Sequence, residues 1–230
     1  MKLSIIIPVY NEEQTIGEVI ERVWMVDLGD LDREVIIAND GSSDGTQRVI
    51  DASRWINDPR VKTYNSPINL GKGAAVRLGL GFATGDILLV QDADLELDPA
   101  QLKDLVQPIL HGEADAVYGS RFLVRSFKVP LITRIGNKTL TWMTNVLFGQ
   151  SLTDMETCYK IIRGDIARAL DLKADRFDIE PEITVALLRG GHKIVELPVT
   201  FSPRSRAAGK KMRWRDGIEA IRMLWRHRRG

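Results

Sequence analysis

The 230-residue chain holds a single cysteine, Cys158, which excludes a disulfide framework and a Cys-rich zinc site and fits a reducing compartment. No stretch approaches the ~18–20 apolar residues that a membrane-spanning helix needs. The apolar run in MKLSIIIPVYNEE is broken by Pro8 and closed by Glu12 and Glu13. It is too short for the core of a signal peptide and reads as a first strand. His111, His192 and His227 stand far apart without metal-ligand spacing. Fixed-period repeats and low-complexity segments are missing too. The pair Gly71-x-Gly73 lacks a third glycine where Val76 stands, so a dinucleotide-binding fingerprint is weak.

What remains is ordinary globular composition, 44% hydrophobic and 27% charged, which argues against disorder and fibrous structure. A chain of this length buries roughly 70–75% of its unfolded surface and folds without a staple. The expectation is a protein that is soluble or at most lies on a membrane. The net charge of +1 hides an asymmetry: residues 203–230 hold ten Lys/Arg against two acids, a net +8 that leaves −7 on the other 202 residues. A basic end on an acidic body points to a phosphate-bearing partner. No nucleic-acid reader motif accompanies the tail, so nucleic acid is not the partner expected.

Apolar runs and amphipathic stretches alternate along the first half. Strands are expected at Leu3–Ile7, Glu34–Ala38, Val61–Tyr64, Asp86–Gln91 and Ala114–Gly119. Helices are expected between them at Glu12–Trp24, Asp44–Ile56, Gly71–Ala83 and Pro99–Leu110. That rhythm predicts an α/β fold with right-handed crossovers and a mainly parallel sheet. Ligands of such sheets sit beyond the carboxyl ends of the strands. Further on, Tyr159–Ile162 and Lys193–Phe201 read as strands, and Pro181–Arg189 and Asp216–Arg226 as helices. Between Lys138 and Asp154 lie fifteen residues without a formal charge. Trp142–Phe148 within them is as suited to a core as to a membrane face. The neighbours Arg134 and Lys138 and the basic tail favour an interfacial helix pair.

Two sets of residues carry chemistry. Asp92, Asp94 and Glu96 follow the ILLV strand, and closely spaced carboxylates there can converge on a hard cation such as Mg²⁺ or Mn²⁺. Asp98 before Pro99 serves as a helix cap, and the other three are not needed for that. Tyr10 can stack on a base, and Asp40 can accept from a base or ribose donor. Lys72, near a helix N-terminus, can approach a diphosphate. Cys158 is expected to be a small buried residue rather than a nucleophile.

Taken in order, IIPVYNE, NDGSSDGT, Asn69-x-Gly71-Lys72-Gly73, GD-x₄-QDAD and Gly119-Ser120-Arg121 resemble the family 2 glycosyltransferases of the GT-A fold. The blocks span Leu3 to about Phe201. Within that family the chain is most similar to dolichyl- or polyprenyl-phosphate hexosyltransferases, on DADLE, GSRF, Arg134, Thr153-Asp154 and the late Gly-Lys-Lys element. The resemblance implies a Rossmann-like, mainly parallel GT-A sheet flanked by helices, with amphipathic helices and a basic C-terminal helix. It implies a transferase domain over 1–202, divided into a nucleotide-sugar half (1–120) and an acceptor half (121–202), followed by a basic loop and helix (203–230). Pro8, Tyr10, Glu12 and Asp40 would hold the nucleoside. Asp92 would sit near ribose and metal, Asp94 would be the principal metal ligand, and Glu96 stands where relatives commonly carry Gln. Arg121 and Arg134 would face phosphate oxygens, helped by Lys138, Arg204, Arg206, Lys210 and Lys211. Relatives often carry Gly-Phe-Arg where this chain has Cys158-Tyr159-Lys160, and the C-terminal membrane helices of many such enzymes have no counterpart in this sequence.

The implied activity is metal-dependent, inverting transfer of a hexose from UDP- or GDP-hexose to polyprenyl phosphate. The expected place is the cytoplasmic face of a membrane, with Mg²⁺ or Mn²⁺ as cofactor. A lipid phosphate is already an anionic nucleophile and needs no strong base. A soluble or glycan hydroxyl acceptor is the alternative and would need one, with Asp154 the first candidate and Glu156 the second. An inactive membrane-peripheral binding protein is the reading from another class. A nucleotidyltransferase is set aside because PVYNE stands where its Gly-rich phosphate loop would be.

Overall fold

The computed structural model describes residues 1–124, 131–204 and 221–224, without the side chain of residue 132. Its apolar runs form seven strands: β1 (Lys2–Val9), β2 (Asp32–Asn39), β3 (Val61–Asn65), β4 (Ile87–Val90), β5 (Ala116–Ser120), β6 (Lys160–Arg163) and β7 (Ile194–Pro198). They make one sheet in the order β3-β2-β1-β4-β6-β5-β7. Four pairings are parallel, and β6 runs antiparallel between β4 and β5. The sheet is therefore mainly parallel, as the βα rhythm implies.

Side-chain alternation along the strands divides the core between two faces. Ile5 and Ile7 of β1 pack with Ile16, Val19, Ile20 and Val23 of α1 (Ile16–Met25) and with Leu102 and Leu105 of α4 (Leu102–Leu105). Ile6, between them in sequence, joins Val76 of α3 (Lys72–Phe82) and Ile179, Ile183 and Leu187 of α8 (Ile179–Arg189). A third cluster joins Leu140 of α6 (Leu131–Phe148) to Met155, Val185, Met223 and Leu224. Residues 221–224 are helical, and Leu224 is fully buried. The rest of the expected Asp216–Arg226 helix, and any partner helix in 125–130 or 205–220, lies outside the described residues.

Several expected boundaries shift, each for a local reason. Pro8 does not end β1: it pairs with Ala38 and Val9 with Asn39. The β1–β4 pairing stops at Ile6↔Val90, so the N–H that Pro8 lacks has no neighbour to serve. Asn11, at φ 50°, turns the chain so that the first helix starts at Ile16 rather than Glu12. α2 (Thr46–Asp51) ends five residues earlier than Ile56, giving way to turns around Ser53, Asn57 and Asp58. The expected Pro99–Leu110 helix is a 3₁₀ turn at Pro99–Gln101 followed by α4 and α5 (Gln107–Leu110). Pro108 cannot donate to the carbonyl four residues back. β7 ends at Pro198, and Phe201 makes an isolated bridge to Leu97 instead. The short α7 (Gly164–Ala169) follows β6 directly.

Candidate active site

β1, β2, β4 and β5 run the same way, so the segments leaving them share one edge of the sheet, and β6 begins at that edge. Pro8, Tyr10, Glu12, Asp40, Asp92, Asp94, Glu96 and Arg121 all lie in or just after those strand ends, and Asp154 lies in the loop that leads into β6.

Asp40 is held by the loop it faces. Its Oδ1 accepts from the Leu70 N–H at 2.8 Å, and Oδ2 from the Gly71 N–H at 2.7 Å and the Asn69 amide at 2.9 Å. Burial pushes its carboxyl pKa up while these donors pull it down, and the net shift is upward. A carboxylate offers about four acceptor positions, so at most one remains for a base or ribose. The expected free acceptor is thus chiefly an anchor for residues 69–71.

Those residues owe their glycines to a close backbone approach. A Cβ on Gly71, at φ 109°, would collide with the carbonyl oxygen of Asp175, and one on Gly73 with that of Ala174. The Ala74 N–H donates to the same Asp175 carbonyl at 3.1 Å. Gly73→Ala is expected to destabilise by about 1–3 kcal/mol through forced backbone movement. Urea unfolding measures this, with Gly81→Ala, where a Cβ meets nothing, as the contrasting site.

Lys72 departs from expectation as well. It does not project toward a diphosphate: its Nζ lies 2.7 Å from Asp92 Oδ1, 3.0 Å from Glu180 Oε1 and 3.2 Å from Cys158 Sγ. Burial opposes its charge, but the carboxylates of Asp92 and Glu180 hold its pKa well above the usual value. Lys160, fully buried, pairs with Glu180 Oε2 at 3.0 Å and donates to the Met155 carbonyl at 2.9 Å. Burial works against the Glu180 carboxylate, yet the two ammonium groups hold it down to about 2. Cys158 sits half-buried beside this network, its thiol pushed up first by burial and then by Asp92, so it is no thiolate nucleophile. Lys160 and Glu180 escaped the sequence reading. A lysine directly before Ile161-Ile162 in a buried strand was the one signal that pointed to them.

After β4 the backbone turns through Leu95, whose φ of 60° is unusual for a branched residue and costs strain. The turn leaves Asp94 Oδ1 accepting from the Glu96 N–H at 3.1 Å and Oδ2 3.3 Å from Nη2 of Arg204. Burial and the neighbouring charges of Asp92 and Glu96 push the Asp94 carboxyl up to about 7. Glu96 Oε1 accepts the Arg204 backbone N–H at 2.9 Å. The expected three-carboxylate ligand set is not assembled, because Asp92 is paired with Lys72 and Glu96 with the Arg204 backbone. Among the described residues no three His, Cys, Asp or Glu side chains converge as a cation site. A divalent ion held by one or two carboxylates and substrate phosphates does fit. Asp94 offers a hard oxygen, bears like-charge repulsion that a cation relieves, and already faces a cation in Arg204.

At the end of β5, Arg121 grips Asp154. Nε donates to Oδ2 at 2.7 Å and Nη2 to Oδ1 at 2.8 Å, and the Arg121 backbone N–H donates to Oδ2 at 3.0 Å. The Asp154 N–H and the Thr153 N–H both donate to Glu196, and the Asn137 amide, oriented to match its neighbours, accepts from Arg121 Nη2 at 2.9 Å. Asp154 is fully buried and both its oxygens are engaged, a poor arrangement for the proton acceptor first suggested by the sequence. Glu156 differs: among the described residues Oε1 is buried without a partner, and burial pushes the carboxyl up to about 7. Arg134 lies in the first turn of α6. Arg206 and Lys210 lie outside the described residues, as does Lys211.

The chain matches the family described as "Glycosyl transferase family 2" over residues 4–170. It is 29% identical over 211 residues to glycosyltransferase AglD of Haloferax volcanii, covering 89% of this chain but only 34% of that protein. It is 31% identical to undecaprenyl-phosphate mannosyltransferase of Micrococcus luteus, covering 91% of this chain and 87% of the relative. The fold is that of glucosyl-3-phosphoglycerate synthase from Mycobacterium tuberculosis in complex with UDP. There the TM-score is 0.73 at 20% identity, over 99% of this chain and 80% of that one. The seven-stranded sheet flanked by helices is the GT-A arrangement, and by its family match this chain belongs to glycosyltransferase family 2.

Proposed function

We propose that the chain transfers a hexose from UDP- or GDP-hexose to polyprenyl phosphate, with inversion, at a membrane surface on the cytoplasmic side. The observation that carries this is the Arg121–Asp154 clamp. It fixes a buried cation at the sheet edge and leaves Asp154 unsuited to deprotonate a hydroxyl, so an acceptor that is already an anion suits the site. The relative from Micrococcus luteus is named for undecaprenyl phosphate, which supports the same acceptor class.

In this mechanism Tyr10, Pro8 and the Asp40-anchored loop form the wall for the nucleoside. Asp94, with Asp92 beside it, would hold Mg²⁺ or Mn²⁺, and glucosyl-3-phosphoglycerate synthase has been crystallised with Mn²⁺ and UDP. When bound, the ion supplies positive charge against the diphosphate leaving group. Lys72 holds Asp92 in place. Arg121, with Arg134 on α6, attracts the acceptor phosphate, whose oxygen forms the new bond to the anomeric carbon as the bond to the diphosphate oxygen breaks. Fixed cations stabilise the charge that develops, because they need no reorganisation. The test is transfer of labelled hexose from UDP- or GDP-hexose to undecaprenyl phosphate with Mn²⁺. A lipid-extractable product is expected, and its absence with every donor defeats the reading.

The membrane part rests on α6. Its inward face carries Leu140 and Thr144, whereas Leu131 (71%), Ile135 (56%), Trp142 (64%) and Val146 (63%) are exposed along one stripe, with Lys138 among them. No described helix is long and apolar enough to cross a membrane. An exposed apolar stripe with cations suits one that lies in the interface. Trp142→Asp with Val146→Asp is expected to lower partition onto anionic liposomes about tenfold or more, since each buried apolar side chain contributes roughly 1.5–3 kcal/mol. Thermal stability should not change, and undiminished liposome binding would count against the stripe.

A second reading, transfer to a hydroxyl, is favoured by Glu156. A carboxyl pushed up to about 7 with a free oxygen is tuned for proton transfer near neutrality. Glu156→Gln is expected to leave transfer to polyprenyl phosphate within about threefold of the parent. A loss of about 10²–10⁴-fold, with the acid limb near pH 7 gone from the rate profile, would instead establish it as the base.

A further inference from the structure

The segment after β7 returns to the carboxylate corner. Phe201 bridges Leu97, the Ser202 N–H donates to the Glu96 carbonyl at 2.9 Å, and the Arg204 N–H donates to Glu96 Oε1. This ladder delivers the Arg204 guanidinium between two loops. Nη1 donates to Glu12 Oε2 at 2.8 Å and Nη2 to Glu12 Oε1 at 3.1 Å, a two-pronged pair, and Nη2 also reaches Asp94 Oδ2 at 3.3 Å. Among the described residues Arg204 Nε is buried without a partner. Asp94 Oδ1 already accepts the Glu96 N–H, and the guanidinium lies against Oδ2, the oxygen with no backbone donor among the described residues.

We infer that Arg204 is a displaceable cation that shares Asp94 with the metal: the guanidinium neutralises Asp94 in the ligand-free protein and must leave it for a divalent ion to bind. This rests on the proposed use of a metal-bound nucleoside diphosphate, and assigns this arginine a positioning role in that use. The asymmetry of its contacts supports the exchange. Two short bonds hold the guanidinium to Glu12 and one long one holds it to Asp94, so it can swing away from Asp94 without leaving Glu12. Once released, Nη2 and the unpartnered Nε present N–H groups to a diphosphate entering with the ion. Metal and diphosphate then assist each other, because the ion displaces the guanidinium and the diphosphate gives it a new anionic partner. Such coupling is reciprocal. A monovalent side chain thus protects the acidic corner from a free divalent ion while leaving it open to a metal–diphosphate pair.

The test is calorimetric titration of Mn²⁺ into the whole protein, alone and with saturating UDP or GDP, using the parent, Arg204→Ala, Arg204→Lys and Asp94→Asn. In the parent, the effective diphosphate should tighten Mn²⁺ binding at least tenfold. Arg204→Ala should tighten binding of Mn²⁺ alone by about tenfold and shrink the coupling. Arg204→Lys, which keeps the charge but loses the fork, should fall between. Thermal melting of each variant confirms the fold. If Mn²⁺ alone binds the parent and Arg204→Ala equally, with binding lost in Asp94→Asn, the displacement fails while the metal-site reading stands. If Asp94→Asn binds Mn²⁺ like the parent with either diphosphate, the metal-site reading fails and takes the displacement with it.

Discussion

Asp94→Asn is expected to lower hexose transfer by about 10²–10³-fold or more while leaving the protein at least as stable as the parent. The two effects share one cause. Burial, Asp92 and Glu96 oppose ionisation of Asp94 and raise its pKa from 3.8 to about 7. A carboxyl raised on folding binds more protons folded than unfolded, so stability falls as pH rises from about 4 toward 7, and the penalty is complete above 7. The amide carries no such penalty. The gain in Tm over the parent should therefore grow between pH 5 and pH 8 in metal-free buffer, offset in part by the weakened contact to Arg204. Melting curves at both pH values, beside transfer assays with Mn²⁺, check the pair of effects. Unchanged transfer would remove Asp94 from the chemistry. A stability loss that grows with pH would mean that Arg204 outweighs the repulsion.

The largest stability effect is expected at the Arg121–Asp154 pair. Asp154→Ala leaves a guanidinium buried without its carboxylate, which costs about 3–5 kcal/mol. For a chain of this length that is a fall in Tm on the order of 10 °C. Arg121→Leu in the same molecule should recover a good part of the loss, because it removes the stranded charge. Arg121→Lys should not rescue activity in the parent background, since one ammonium cannot match two carboxylate oxygens in plane. Asp154→Asn separates positioning from proton transfer. A positioning residue loses stability and rate together with an unchanged pH profile, whereas a base loses its acid limb while stability holds.

The strand rhythm and the loops that carry chemistry were legible because both obey local rules. An ILLV run between polar turns is a buried strand in almost any context, and the loop leaving its carboxyl end lies at the sheet edge. The partners of those loops were not legible, because each depends on a contact across long sequence separation. Lys72 reads as a phosphate ligand until α8 brings Glu180 beside it, and Asp154 reads as a base until β5 delivers Arg121. Arg204 was one cation among many in a basic tail. Only the Leu97–Phe201 bridge, with its two neighbouring hydrogen bonds, singles it out. The orientation of Tyr159–Ile162 was equally hidden, since a four-residue strand carries no mark of its direction.

That reversed strand has a consequence for how the molecule can be divided. β6 comes from beyond residue 121 yet lies hydrogen-bonded between β4 and β5, both from before it. A cut between 120 and 121 would leave the earlier fragment with a gap the width of one strand in the middle of its sheet. The later fragment would hold that strand and β7, whose strand partner β5 lies in the earlier one. Neither could close its own core, so the two halves of the chain are interlocked like a tongue in a groove, and recombining this architecture by swapping halves would have to carry that tongue along.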